Sequence, residues 1–379
     1  MTSQFAINGF CKDKYLPFRD IFEQNFEEGL EIGASLCLTL EGEPIVDIWG
    51  GHADLDRTRP WQTDTIACVF SSSKIPTIIS VLLLIDRGLI ALDEPVARYW
   101  PEFGQNGKDM ITVRQAMTHR ARVPGISGSR PLDSDWQQIV DAIAAEAPWF
   151  EEDTLCYHPI TFGFILGELV QRVSGKPFRQ FLIDELIAPM DIDFHMGLDD
   201  KNDRERVAQI RFARELPTVP GTLQHRVFSS FSEPEVEGGF WLSWSMQSSV
   251  NPGVTGHTNA RGMCALATML ANNGEFNGHN FLSPDIIGQA STEQVHDTDP
   301  MLGELRLGLG FGLDGSSFRA PTPQSFHWGG LGGSWCFMDT SRKLAGAYVM
   351  NNCHVPGEWG SIMEPRMERF FDQITQTFV

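Results

Sequence analysis

Residues 69–79 read VFSSSKIPTII, three serines and a lysine running into an apolar stretch. If a helix begins near Ser72, Pro76 falls close to its first turn, where a missing N–H is tolerated. Residues three apart on a helix project from one face, so Lys74 lies beside Ser71, while Ser72 and Ser73 find Ile75 and Pro76 at the same offset. Ser71 is the only serine of the chain followed by Lys at the third position. A hydroxyl is a poor nucleophile until a neighbour removes its proton, and a lysine can do so when burial or another cation lowers its pKa. The positive field of a helix N-terminus favours negative charge developing there. A serine in this place is also what a plain helix cap would use.

Working outward, Phe18, Phe22, Phe26 and Leu30 recur every four residues and predict a helix between Tyr15 and Gly33. ASLCLTL and PIVDIWGG then flank Glu41-Gly42-Glu43 and predict an antiparallel hairpin. Beyond the serines, helical patterns fall at 72–88, 112–118, 136–147, 161–174, 178–188 and 259–273, separated by Pro- and Gly-containing loops. Strand patterns return as LGLGFGL, then SWCFMD and LAGAYVM around the turn Thr340-Ser341-Arg342-Lys343. A terminal helix carries Met363, Met367, Phe370, Phe371 and Ile374 on one side. Strands at both ends with helices between them predict one α/β domain built from residues 1–66 and 300–379, and an inserted, mainly helical domain over 67–299.

The 379 residues carry 29 Lys and Arg against 49 Asp and Glu, a formal net charge of −20, which disfavours nucleic acid and anionic membranes as partners. Seven scattered cysteines without a CxxC suggest neither a disulfide framework nor a zinc site, and point to a reducing compartment. The N-terminal residues lack a basic region followed by an apolar one, and IISVLLLI is too short to span a bilayer. A cytoplasmic protein is the expectation.

Two further segments bear on the serine. In LCYHPITFGFILGELVQRVSGKPF, Tyr157 stands just before a strongly periodic helix, where a phenol can share a proton with a lysine and pass it to a leaving group. A half-buried tyrosine with a wet hydroxyl gives the same pattern. In FHWGGLGGSWCFMD, His327-Trp328-Gly329-Gly330 opens a strand and four glycines fall within five residues. Such a stretch lets a substrate approach the backbone so that N–H groups can hold an oxyanion, or it is simply a flexible hairpin turn.

Taken in order, SSSK, YHP and HWGG, with LLIDRGLIALDEPVARYWPEF and AMTHRARVPGI between them, resemble the serine β-lactamase-like superfamily. The nearest branch is similar to the family VIII carboxylesterases. The resemblance implies a β-lactamase/transpeptidase-like α/β fold: an antiparallel sheet flanked by helices, a helical insertion, and an active site at their boundary. It implies Ser71 as acylated nucleophile, Lys74 as general base and Tyr157 as proton shuttle. It further implies an oxyanion hole of the Ser71 and Gly330 N–H groups, and no metal or other cofactor.

The departures are informative. Pro159 stands where β-lactamases and penicillin-binding proteins usually carry Asn, and His327 and Trp328 stand where they carry Lys and Thr. An imidazole and an indole suit an apolar, uncharged substrate better than a carboxylate. That favours small-molecule esters of short or medium acyl chains, with His327, Trp328 and Gly329 at the substrate and Trp241 and Trp244, beside Phe240, as walls of an acyl pocket or as core. An amide hydrolase of the β-lactamase or D-aminopeptidase kind, an acyltransferase, and a silent binding protein are the alternatives. The elbow GxSxG of α/β-hydrolases is absent: Gly332-Gly333-Ser334-Trp335-Cys336 ends in Cys and Gly125-Ile126-Ser127-Gly128-Ser129 in Ser. His119-Arg120-Ala121-Arg122 reads as a structural loop.

Overall fold

The computed structural model describes residues 6–151, 153–212, 219–315, 317, 319–354 and 364–379. The four-residue repeat near the start forms α1 (Leu16–Glu27) and buries Phe18, Phe22 and Phe26. β2 (Gly33–Leu40) and β3 (Glu43–Gly51) follow as an antiparallel hairpin, with β1 (Ile7–Cys11) added outside β3. The hairpin closes because Glu41 and Gly42 both take positive φ, 53° and 84°, which suits a tight turn between right-twisted strands.

β4 (Val295–Asp299), β5 (Gly303–Leu307), β6 (Gly312–Leu313), β7 (Phe326–Gly329), β8 (Trp335–Asp339) and β9 (Leu344–Met350) complete one sheet. Its order is β1-β3-β2-β9-β8-β7-β6-β5-β4. The two ends of the chain meet at its centre, where β2 lies antiparallel to β9 with Leu36 opposite Tyr348. Every residue of β8 and β9 is buried, because both faces are covered. On one face Tyr348 meets Phe22 of α1 and Phe370 of α6 (Pro365–Phe378). On the other, Thr39 bonds Thr268 of α5 (Ala260–Ala271) at 2.7 Å.

Between the two groups of strands lie α2 (Lys74–Asp86), α3 (Trp136–Ala145) and α4 (Thr161–Ser174). α2 is buried from Lys74 to Leu84, a helix enclosed on all sides. The predicted helix at 178–188 runs as three pieces to Met190, including a wide π turn over Ile183–Ile187. Helices at Lys201–Arg206, Leu223–Phe228 and Pro284–Ala290 had no clear apolar period and were not expected.

Three strand and helix expectations need correction. LGLGFGL is not one strand: β5 ends at Leu307, the chain turns through Gly308–Phe311, with Gly310 at φ 85°, and β6 begins at Gly312. His327-Trp328-Gly329 ends β7 rather than opening the next strand. The terminal helix starts at Pro365; Met363 lies outside the described residues.

Candidate active site

A single 3-10 turn, Phe70–Ser73, leads into α2. Phe70 is held at φ 47°, a left-handed conformation costing a non-glycine residue about 1–3 kcal/mol. Packing separates the three serines. Ser72 Oγ is buried against Ser334 Oγ at 3.1 Å, and Ser73 Oγ accepts the Gly256 N–H at 2.8 Å. Both serve the joint between α2 and its surroundings. Only Ser71 keeps partial exposure.

Lys74 is fully buried, and its Nζ reaches Ser71 Oγ at 3.0 Å, Pro159 O at 2.8 Å and Gly253 O at 3.1 Å. No carboxylate meets it among the described residues. Burial alone therefore drives its pKa down, to about 7. As a neutral amine it would donate its two N–H groups to the two carbonyls and turn its lone pair to the Ser71 hydroxyl. Tyr157 Oη lies 2.8 Å from Ser71 Oγ on the other side, and Lys74 Nζ is 5.3 Å from the Tyr157 ring centroid. Burial raises the Tyr157 pKa well above its usual value, against the opposing bond from Ser71, so the phenol keeps its proton at neutral pH.

Asp299, at the end of β4, fixes the tyrosine from the sheet. Its carboxylate accepts the Tyr157 N–H together with those of Met301 at 2.7 Å and Leu302 at 2.9 Å. The contact spans 142 residues of chain and leaves no local trace in the sequence.

The glycine stretch behaves differently from expectation. Gly330 N–H is committed to Ser334 O at 2.8 Å, so it is not a free oxyanion donor. Gly330 O accepts from Gly333 N–H at 3.2 Å, and Gly332 has φ 85°, which makes Gly330–Gly333 a type II turn. In such a turn the second residue's N–H points away from the closing bond, and among the described residues that of Leu331 meets no carbonyl. Gly330 packs so tightly on the Ser71 segment that an added Cβ would fall 2.1 Å from Val69 O. Within this turn the N–H without a carbonyl partner is thus one residue further on, that of Leu331. Four glycines in the sequence signalled a turn but not its phase.

Strand parity also corrects His327. It is paired with Phe337 across β8 and lies on the α6 face, its ring 6.2 Å from that of Phe371 and buried away from Ser71. Trp328 takes the opposite face, 6.0 Å from the Tyr157 ring. Gly329 is part-exposed at the strand's end. Trp241 is half-buried with its ring 4.9 Å from Phe70, the residue before the serine, and 6.1 Å from Phe212. Trp244 packs on a separate small cluster, Ile66, Leu198 and Val207, rather than in the group of Phe70, Phe212 and Trp241.

A family model described as Beta-lactamase matches residues 19–359. Esterase/beta-lactamase LipL of Mycobacterium tuberculosis is 32% identical over 337 residues, covering 86% of this chain and 78% of that protein. Two solved structures are similar throughout. A family VIII carboxylesterase is 31% identical with a TM-score of 0.89, over 98% of this chain and 100% of that one. A penicillin-binding protein homolog from Caulobacter crescentus is 32% identical with a TM-score of 0.88, over the same shares.

Proposed function

The chain belongs to the beta-lactamase family and is a serine hydrolase of the carboxylesterase kind, and from that premise we propose that it cleaves esters of short or medium acyl chains through an acyl-enzyme on Ser71. In this reading neutral Lys74 takes the Ser71 proton as Oγ adds to the ester carbonyl. The oxyanion is met by the N–H groups of Ser71 and Leu331. Each such donor is worth about two to three decades of rate. Tyr157 gives its proton to the departing alkoxide as the C–O bond breaks, and the phenolate is reprotonated by the Lys74 ammonium, which carries the proton taken from Ser71. Water then enters by the reverse path and frees the acid.

One observation carries the proposal: a fully buried amine and a protonated phenol stand 3.0 Å and 2.8 Å from the same part-exposed hydroxyl. The substrate class is argued from the surroundings. Trp328 brings no charge to the tyrosine's side of the site, and Trp241, Phe70 and Phe212 form an aromatic edge next to the serine. Apolar acyl groups gain from such a surface, and a carboxylate gains nothing.

The test is turnover of p-nitrophenyl butyrate by the wild type and Ser71→Ala. The variant is expected to lose at least about three decades of kcat. Equal turnover by both would remove the proposal, and a strong preference for a chromogenic cephalosporin would replace esters with amides. Trp241→Ala is expected to alter the octanoate-to-butyrate ratio of kcat/KM by roughly 10-fold, through the apolar contact of a few methylenes.

A further inference from the structure

We propose that His119 is a positioning residue for Tyr157: with His158 it clamps the peptide groups on either side of the phenol-bearing residue. The inference rests on Tyr157 being the proton donor described above.

Around Tyr157, imidazoles hold the Cys156 carbonyl and the His158 N–H, Asp299 holds the Tyr157 N–H, and the His119 backbone carbonyl holds the Cys156 N–H. Cys156 N–H donates to His119 O at 3.1 Å, and His158 N–H donates to His119 Nδ1 at 3.2 Å. His158 Nδ1 lies 2.5 Å from Cys156 O, and its Nε2 accepts the Val123 N–H at 3.2 Å. These partners set both tautomers: the proton is on Nδ1 of His158 and on Nε2 of His119. Burial holds both rings neutral, with His158 lowered to about 4 and His119 well below its usual value.

His119 is an unusual choice on packing grounds alone. Its ring is fully buried in an aromatic cage, 4.3 Å from Phe162, 5.6 Å from Trp328 and 5.0 Å from Tyr157. Its Nε2–H has no hydrogen-bond partner among the described residues, a cost that phenylalanine would not carry. Phenylalanine would fill the cage as well. What it could not do is accept the His158 N–H. The residue is also held at φ 58°, a region that histidine, asparagine and aspartate tolerate better than most side chains. The imidazole is therefore explained by the one bond that fixes the peptide after Tyr157.

The phenol matters most where the leaving group is a poor one, because p-nitrophenolate departs without a proton and an alkoxide does not. The experiment compares p-nitrophenyl butyrate with ethyl butyrate for the wild type, His119→Phe and His119→Asn. Phenylalanine keeps a ring in the cage and loses the acceptor; asparagine returns an amide oxygen near the Nδ1 position and accepts the left-handed backbone. In His119→Phe, kcat on the ethyl ester is expected to fall roughly 100-fold, the scale of a lost general acid, with a loss several-fold smaller on the aryl ester. KM should stay within about twofold, and His119→Asn should restore most of the ratio. Equal losses on both esters, or an unrestored ratio, overturn the clamp. Amide exchange of His158 N–H gives a reading independent of turnover: acceleration in His119→Phe but not in His119→Asn supports the clamp, and unchanged exchange overturns it. A wild type that cleaves neither ester would remove the ester reading and leave this exchange result to decide the clamp.

Discussion

Two fully buried cations, Lys74 and Arg366, show how partners decide what a buried charge becomes. Arg366, in the first turn of α6, lies between Glu31 and Glu364 and also donates to Gly332 O at 2.6 Å and Asn352 O at 3.0 Å. Burial raises both carboxyls, Glu31 to about 7, while the guanidinium stays charged. Lys74 has only carbonyls and a hydroxyl, and burial turns it towards the neutral amine. Fully paired charge pins a fold; an amine without a counter-ion, beside a hydroxyl, is free to serve as the base proposed above. Lys108 sharpens the contrast. It too is buried on carbonyls, of Gln105, Ala144 and Glu146, and its pKa falls to about 8, yet among the described residues no hydroxyl is its partner. A lowered pKa without a nucleophile beside it is structure, not chemistry.

The contrast breaks first at Lys74. Lys74→Arg keeps a cation that does not deprotonate, so kcat on an aryl ester should fall by about 10³-fold or more with the protein still folded. Retained turnover would show that the base is another group. Arg366→Met should act on stability instead: leaving two buried carboxylates unpaired costs about 3–5 kcal/mol in urea unfolding. A loss below about 1 kcal/mol would mean that the ion network is not what fastens α6 to the sheet.

The pH profile of kcat/KM tests the base from a different side. Lys74 must be neutral to accept a proton, and its neutral fraction grows as pH rises through about 7. The rate should therefore climb about tenfold per pH unit below that point and level above it, as a property of the coupled Lys74 and Tyr157 pair. A rate that is flat from pH 5 to 9 would contradict a neutral-lysine mechanism. The smallest effect is expected at Lys108: Lys108→Met should cost about 1–3 kcal/mol for carbonyls left unpaired and leave turnover within roughly twofold. A large loss of turnover there would erase the distinction between the two lysines.

The sequence made some of this visible and hid the rest for physical reasons. SSSK could be read because three residues of helix put Lys74 over Ser71 whatever surrounds them, and the 3.0 Å contact follows from that local geometry. α1, α4 and α5 were visible through their apolar periods. His327 was placed at the substrate with Trp328, but neighbouring residues of a strand face opposite sides of the sheet, so only Trp328 lies on the tyrosine's face. Leu331 was missed for Gly330 for a similar reason, since which N–H a turn leaves free depends on which residue closes it. Asp299 and His119 reach Tyr157 from distant or irregular backbone, and neither position had a periodic signal to mark it.

The pairing of β2 with β9 has a consequence for how the molecule comes off the ribosome. Leu38 waits for Gly346, 308 positions later, before the middle of the sheet can close. At a synthesis rate of roughly 5–20 residues per second, the early hairpin spends about 15–60 s with an open edge. Through that interval Leu36 and Leu38 are unshielded, and a nascent chain stalled before Leu344 should be a preferred client of chaperones that hold exposed strands.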